Sequence, residues 1–153
     1  MPRTLGYTQR VHIDAPIDEV WSLLADPRRH VELHPLIHEL IILDEGDGPE
    51  PGERYVDFEV LDGVKLLGVE FPVKYQSHMI QRPSTRSLSL RAMVPPRLVT
   101  TVEWSLSTVD GGTQIDEQVE LTAPWSVAGF STRQSRRAHI EMFAALQRVC
   151  GSR

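Results

Sequence analysis

Glu117 is the residue whose type and position most directly suggest chemistry. It falls in the apolar phase of an alternating segment, between Ile115 and Val119, so a strand would point its carboxylate towards a core. A buried carboxylate must be paired, or its pKa rises towards the range that suits acid–base work. Three interpretations follow: a polar anchor or general acid/base in a cavity, an ion pair with Arg54 or a helix arginine, or a half-exposed strand residue.

Histidines recur every four residues, at His30, His34 and His38. On an unbroken helix this spacing stacks imidazoles as metal ligands. Pro35 interrupts the segment, no carboxylate completes a recognisable motif, and His38 is expected to lie in a strand, so we expect no metal site. His34 is instead a candidate gate or proton carrier. With Glu117 it is one of two candidate catalytic residues.

Large apolar side chains share the inward phase of the predicted strands and of the C-terminal helix: Phe58, Phe71, Tyr75, Leu90, Trp104 and Phe130. They line a pocket for an apolar or aromatic ligand or simply form the core, since one pattern builds both. Tyr75 and Trp104 are the better candidates for ligand contact, because their polar atoms seek partners when buried. Ser131 and Gln134, on the inward helix stripe, are candidates to hydrogen-bond a ligand or water, unless that end of the helix overhangs the sheet edge.

Alternation of apolar and polar residues predicts the sheet that positions these side chains. The predicted strands are Leu5–Asp14, Ile37–Asp44, Arg54–Leu61, Leu67–Tyr75, Arg86–Val94, Leu98–Val109 and Thr113–Thr122. Asp62-Gly63 is a hairpin-turn signal. Pro72 within the fourth strand indicates an edge position or a bulge.

Helical segments flank this run of strands. Ile17–Ala25 and Arg28–His34 are predicted as short helices after the first strand, and Ser126–Val149 as a long one. The long helix carries an apolar stripe of Val127, Ala138, Met142, Ala145 and Val149. Ile140 and Phe143 lie roughly opposite that stripe, which indicates a partner surface such as a homodimer interface, or packing against the short helices.

Composition excludes several classes of protein. With 153 residues and 41% apolar content, we expect a single domain over residues 1–153. A net charge of −5 argues against nucleic-acid binding, and no apolar run is long enough to span a membrane. A lone Cys150 excludes an internal disulfide framework. We find no signal-peptide pattern, serine-nucleophile motif, P-loop or dinucleotide motif, so we expect a cytoplasmic protein without a cofactor.

The predicted elements leave space between the sheet and the long helix. A sheet of six or seven antiparallel strands twists and curls. A helix of about 24 residues is about 36 Å long, enough to span the sheet but too narrow to fill its concave side everywhere. A cavity beneath the helix is therefore expected.

The segment from Val11 to Pro27, VHIDAPIDEVWSLLADP, together with His34-Pro35, resembles the START-like helix-grip superfamily. The bacterial polyketide cyclase/dehydrase and lipid-transport group is the nearest part of it. The resemblance implies an α+β helix-grip fold: a curved antiparallel sheet of six to seven strands, two short helices after the first strand and a long C-terminal helix across the sheet. It implies a cavity but no set of catalytic residues.

Taken together, these patterns predict that the protein binds a hydrophobic or aromatic small molecule, lipid-like or polyketide-like. One alternative is a polyketide cyclase or dehydratase in which Glu117 or His34 moves protons. Another is a protein-interaction module that uses the outer face of the long helix at Ile140 and Phe143.

Overall fold

The computed structural model describes residues 2–95 and 97–151. Within these residues the chain forms seven strands and three α-helices, with a short 3-10 turn before the second helix. In chain order they are β1 (Pro2–Ile13), α1 (Ile17–Leu24), α2 (His30–Leu33), β2 (Ile37–Asp47), β3 (Arg54–Leu66), β4 (Val69–Arg82), β5 (Ser87–Val94), β6 (Leu98–Val109), β7 (Gly112–Pro124) and α3 (Trp125–Gly151).

The strands form one curved antiparallel sheet in the order β1-β7-β6-β5-β4-β3-β2. Neighbours from β2 to β7 are consecutive in the chain, as simple hairpins require. β1 closes the other edge by pairing with β7 along its whole length. The predicted α+β helix-grip arrangement is confirmed.

α3 packs against β1 and β7 on the concave face, and α1 and α2 contact it from the side. The core lies between these layers. Its largest fully buried side chains include Ile13, Leu24, Met79, Leu88, Ile115, Leu121, Met142 and Leu146. Ile13, Leu88, Ile115 and Leu121 come from the predicted inward phase, so the alternation correctly identified the buried face there. Met79 lies beyond the predicted end of its strand at Tyr75, because β4 runs on to Arg82.

The predicted turn at Asp62-Gly63 is wrong, because β3 runs on to Leu66 and the chain turns at Leu67-Gly68. Both turn residues have positive φ, 53° and 80°. Gly63 serves a different purpose: a Cβ there would overlap His38 and Glu70, which form an ion pair of 2.7 Å beside it.

The edge position predicted for Pro72 is confirmed. Pro72 pairs with Gly63 of β3 in a regular register, and β5 pairs with β4 only from Gln76 onwards. The first half of β4 therefore has a neighbouring strand on one side only. A residue without an N–H donor is tolerated there.

Two predictions for α3 are wrong. Phe143 is 2% exposed and lies in the core, where its ring meets Trp104 edge-on at 6.2 Å between centroids. Val127, predicted on the inward stripe, is 44% exposed. The predicted stripe residues Ala138, Met142 and Ala145 are buried. The buried face also includes Ala128, His139, Phe143, Leu146 and Cys150, because α3 presents a wider face to the sheet than a single row of positions.

Phe143→Ala is expected to destabilise the protein by about 3–5 kcal/mol, since it removes a buried aromatic ring and leaves a cavity. Ile140→Ala, on the same helix with a 52% exposed side chain, is the matched control and is expected to cost under about 1 kcal/mol. Urea unfolding of both variants measures the difference. Equal losses would contradict the assignment of Phe143 to the core.

Candidate binding cavity and its polar groups

A cavity of about 320 Å³ lies under α3, between that helix and the concave face of the sheet. Strands β3 to β7 supply most of its wall, and the segment before β2 and the middle of α3 close it. The wall is mainly apolar, with Phe58, Val60, Val73, Leu90, Val102, Trp104, Leu121 and Met142 among its residues. A largely apolar concavity with a few polar groups is the usual form of a small-molecule site.

Most of the predicted site residues meet at this cavity. Phe58, Tyr75, Leu90, Trp104, Phe130, Ser131, Gln134 and His34 all line it. Their contact with a ligand remains a prediction.

Phe71 is an exception to that prediction, because it does not line the cavity and its side chain is 49% exposed. Its phase is that of Val73 and Tyr75, which do line the cavity, but it stands close to the hairpin turn. Apolar alternation continues there past the part of the sheet that is covered, so the pattern overestimates the extent of the wall.

Glu117 points inward, as its phase predicts, and is 2% exposed. It accepts three hydrogen bonds: from Gln9 Nε2 at 2.6 Å, from Trp104 Nε1 at 2.5 Å and from His139 Nδ1 at 2.7 Å. The predicted ion pair of Glu117 with an arginine is therefore wrong, since Glu117 pairs with His139. Glu117 also does not line the cavity. His139 and Trp104 do, so Glu117 reaches a ligand only through them.

These three donors keep Glu117 ionised. Burial by itself would raise the pKa of its carboxyl group, but the hydrogen bond and charge of His139, with the Trp104 and Gln9 donors, outweigh burial and hold the pKa below its ordinary value. The carboxylate in turn fixes His139 with its Nδ1–H towards β7, and the other ring nitrogen is left for the cavity side.

His30, His34 and His139 gather at one wall of the cavity. The His34 and His139 rings are edge-on with centroids 5.6 Å apart, and His30 donates from Nε2 to the Leu24 carbonyl oxygen at 2.8 Å. Burial, with the charge of neighbouring histidines, lowers the pKa of His30 and brings that of His34 to about 3. Both rings are therefore neutral at physiological pH.

Hydrogen bonding fixes the tautomer of His34. Its Nδ1 accepts from the Leu36 N–H at 3.3 Å, so the neutral ring carries its proton on Nε2. His38 takes no part in this group, because it pairs with Glu70. Among the residues that the structure describes, no group of three or more potential ligands is placed to hold a metal ion.

A second polar group, Asp62 with Tyr75, lies in the β3–β4 part of the wall. The Tyr75 hydroxyl is 3.5 Å from Asp62 Oδ1, at the outer limit for a hydrogen bond. Burial raises the pKa of Asp62 to about 6, against smaller opposing effects of Tyr75 and His38. Burial and the Asp62 charge raise the pKa of Tyr75 well above its ordinary value, so its hydroxyl remains a donor.

A more polar depression adjoins the cavity. It shares Leu36, Phe130, Gln134 and Ala138 with the cavity wall and adds charged side chains from α3 and the β3–β4 hairpin, namely Arg133, Arg137, Glu141 and Glu70. The apolar interior is thus bordered by a rim that carries both signs of charge.

Sequence reasoning missed His139, His30 and Asp62 as wall residues. Asp62 was assigned to a turn, although it shares the phase of Phe58 and Val60 and so carries a signal comparable to that of Glu117. His139 stands beside Ala138, on the predicted stripe, and a stripe drawn two positions wide would have included it.

No described helix is both long and apolar enough to cross a membrane.

Residues 4–150 match the model of a protein family described as polyketide cyclase / dehydrase and lipid transport. No match was found among curated proteins. The Zhui aromatase/cyclase from Streptomyces sp. R1128 has a similar structure, with a TM-score of 0.70 and 21% identity over 98% of this chain and 93% of that one.

Two further solved structures are similar. The di-domain ARO/CYC StfQ from the steffimycin biosynthetic pathway has a TM-score of 0.74 and 11% identity over 97% of this chain and 51% of that one. A START superfamily protein from Mycobacterium smegmatis has a TM-score of 0.70 and 10% identity over 96% and 97% of the two chains. At such identities the likeness is one of fold.

Asp62→Asn is expected to stabilise the protein near neutral pH. The carboxyl group titrates at about 6 in the folded chain against about 4 in an unfolded one, so its ionisation above pH 6 costs folding free energy. Above about pH 6 the gain should be on the order of 1–2 kcal/mol. It should shrink as the pH falls from about 6 towards 4, because below about pH 4 Asp62 is protonated in both the folded and the unfolded state.

Urea unfolding of the wild type and variant between about pH 4 and 7.5 measures this difference. Both proteins carry the same histidines, so the effect of histidine titration on the unfolding free energy cancels in the difference between them. Asp47→Asn, at a 93% exposed side chain, is the control and should give no comparable gain. If the variant is not more stable at neutral pH, or if its advantage in unfolding free energy grows on acidification, then burial does not raise the pKa of Asp62.

Proposed function

Because the chain belongs to the polyketide cyclase / dehydrase and lipid transport family, as the resemblance of its N-terminal segment predicted, we propose that its cavity binds a hydrophobic or aromatic small molecule. The class of ligand is lipid-like or polyketide-like. The observation that carries the proposal is the apolar cavity of about 320 Å³ under α3. That volume lies within the range typical of sites for drug-sized ligands.

Burial of apolar ligand surface is the driving force of this binding. Removing apolar area from water contributes about 25 cal/mol per Å² before the costs of association. Phe58, Leu90 and Trp104 supply that contact, while Tyr75, Gln134 and the histidines orient the ligand. Trp104 contributes its ring alone, because its N–H already donates to Glu117.

Fluorescence of Trp104 tests the proposal. Trp21 and Trp125 lie outside the cavity wall, so the double variant Trp21→Phe/Trp125→Phe leaves a reporter that faces the cavity. Titration with fatty acids and with polycyclic aromatic compounds is expected to change its emission saturably. No response to any of these compounds would contradict the proposal.

Ala92→Phe is expected to weaken binding of those compounds at least about tenfold, because Ala92 lines the cavity and the larger ring occupies the ligand's volume. Met93→Phe is the matched control, since Met93 is its neighbour on β5 and is 56% exposed. It should leave affinity unchanged within about twofold. Titrations of both variants make the comparison, and equal effects would show that binding occurs elsewhere.

A second candidate function, cyclisation or dehydration of a polyketide-like substrate, is favoured by one observation. His139 faces the cavity while Glu117 holds its Nδ1 at 2.7 Å. An imidazole oriented by a buried carboxylate is an arrangement used for general acid–base catalysis. In this alternative Glu117 is a positioning residue, and His139 replaces it as the group that meets substrate.

The chemistry assigns each group a role. His139 Nε2 removes a proton from a methylene between two carbonyls, and the enolate carbon forms a bond to a second carbonyl carbon of the same chain. That bond closes the ring, and the resulting alkoxide takes the proton back from the His139 imidazolium. Loss of the new hydroxyl with the remaining proton of the former methylene then releases water and leaves a C=C bond in the ring. The cavity contributes by folding the substrate chain so that the reacting carbons meet. His34 is neutral at physiological pH and takes up no proton in this scheme.

Glu117→Gln distinguishes the two functions. With a linear poly-β-ketone thioester as substrate, an enzyme should lose about 10²-fold or more in kcat with an altered pH profile, whereas a carrier should show changed affinity alone. Gln9→Leu is the control, because it removes one hydrogen bond from the same carboxylate without touching His139. Retained turnover in Glu117→Gln would contradict the catalytic alternative.

The interaction-module alternative is not proposed. It depended on Ile140 together with Phe143, and Phe143 is buried. Ile140 by itself is a single exposed apolar side chain, which is ordinary for a protein surface.

A further inference from the structure

Asp62 is a buried carboxylate whose one hydrogen-bond contact is long. It is 8% exposed, and its hydrogen bonding within the described residues consists of the 3.5 Å contact with Tyr75. Glu117, buried to a similar degree, accepts three hydrogen bonds of 2.5–2.7 Å. The two acids differ in one further respect: Asp62 lines the cavity directly and Glu117 does not.

The fold does not need a carboxylate at this position. Asp62 stands in the inward phase of β3 with Val60 and Val64, opposite Val73 of β4. An apolar side chain would continue that wall. A buried and weakly paired carboxylate costs folding free energy, and residues that break a local rule at such a cost are characteristic of functional positions.

The chemistry of the pair selects the group that it fits. Asp62 accepts hydrogen bonds, and Tyr75 carries an O–H that is free to donate once its long contact is given up. A hydroxyl group both donates and accepts, so one placed between them converts a 3.5 Å contact into two bonds of ordinary length. A carboxylate ligand would be repelled by Asp62, and an ammonium group has no lone pair to accept from Tyr75.

We propose that Asp62 and Tyr75 form the recognition site for a hydroxyl group on an apolar, ring-containing ligand. The ligand hydroxyl donates to the Asp62 carboxylate and accepts from the Tyr75 hydroxyl, while the rings pack against the apolar wall. This inference rests on the proposed binding function and narrows it to phenols and alcohols. It also orients the ligand, with its hydroxyl at β3 and β4 and its remainder extending towards α3.

Matched pairs of compounds test the inference: naphthalene with 2-naphthol, and pyrene with 1-hydroxypyrene. An apolar wall without a hydroxyl site prefers the hydrocarbon, because the hydroxyl must shed water on entering. With the site present, the wild type should bind the hydroxylated member more tightly by about tenfold, the order expected of a hydrogen bond to a charged group. Direct fluorescence titration of each compound gives the ratio of dissociation constants.

Variants locate the preference. The ratio should fall in Asp62→Asn and in Tyr75→Phe, and the hydrocarbon should become the preferred member in Asp62→Leu. Thr100→Val is the matched control, because it removes a hydroxyl from another part of the cavity wall and should leave the ratio unchanged. Circular dichroism and urea unfolding establish that each variant is folded.

The outcomes separate this inference from the proposed function. Hydroxyl preference that depends on Asp62 and Tyr75 but not on Thr100 supports it. Binding of both members of a pair without hydroxyl preference, or with a preference that Asp62→Leu leaves intact, overturns the inference and leaves the binding function standing. Binding of none of the four compounds overturns the inference, and the proposed function falls with it if fatty acids also fail to bind.

Discussion

The width of the sheet relative to one helix determines where this protein has room for a ligand. Seven strands about 4.8 Å apart span about 29 Å, whereas a helix with its side chains is about 10–12 Å across. α3 packs on β1 and β7 and therefore covers the concave face at one side of the sheet. The remaining strands curve around the other side of the concave face and leave space there that α3 does not fill. The cavity is thus a consequence of strand number and helix placement, and its wall is built mainly from β3 to β6.

Glu117 fixes that placement. Its three partners come from β1, β6 and α3, so one carboxylate joins both neighbouring strands and the covering helix. The Tyr7 hydroxyl adds a second link from β1 to Ser135 of α3, at 2.8 Å. Removing one partner from a buried charge is costly. A shift of α3 along the sheet would separate His139 from Glu117 and leave the carboxylate without that partner. The shape of the cavity is therefore tied to a group that does not itself line it.

Period-two alternation was sufficient to predict the strands and their inward faces, because burial of one face of a sheet constrains each second residue. It failed where two local signals competed. Asp62-Gly63 has the composition of a turn, but Asp62 lies in the cavity wall and Gly63 leaves room for the His38–Glu70 pair beside it. On α3, a single stripe assigned Phe143 to the outside, since it assumed a narrow contact. Partners such as His139 for Glu117 depend on how helix and sheet meet, which no local pattern contains.

The His139–Glu117 pair plays a different role in a carrier and in an enzyme. In a carrier it anchors α3, and a well-packed apolar pair of similar volume would do this equally well, since buried ion pairs often contribute no more than their hydrophobic replacements. In an enzyme the charge is indispensable, because the carboxylate stabilises the imidazolium that forms when His139 takes a proton. Replacing both residues with apolar side chains therefore separates anchoring from proton transfer: a carrier keeps its cavity and its ligand, whereas an enzyme keeps the ligand and loses the reaction.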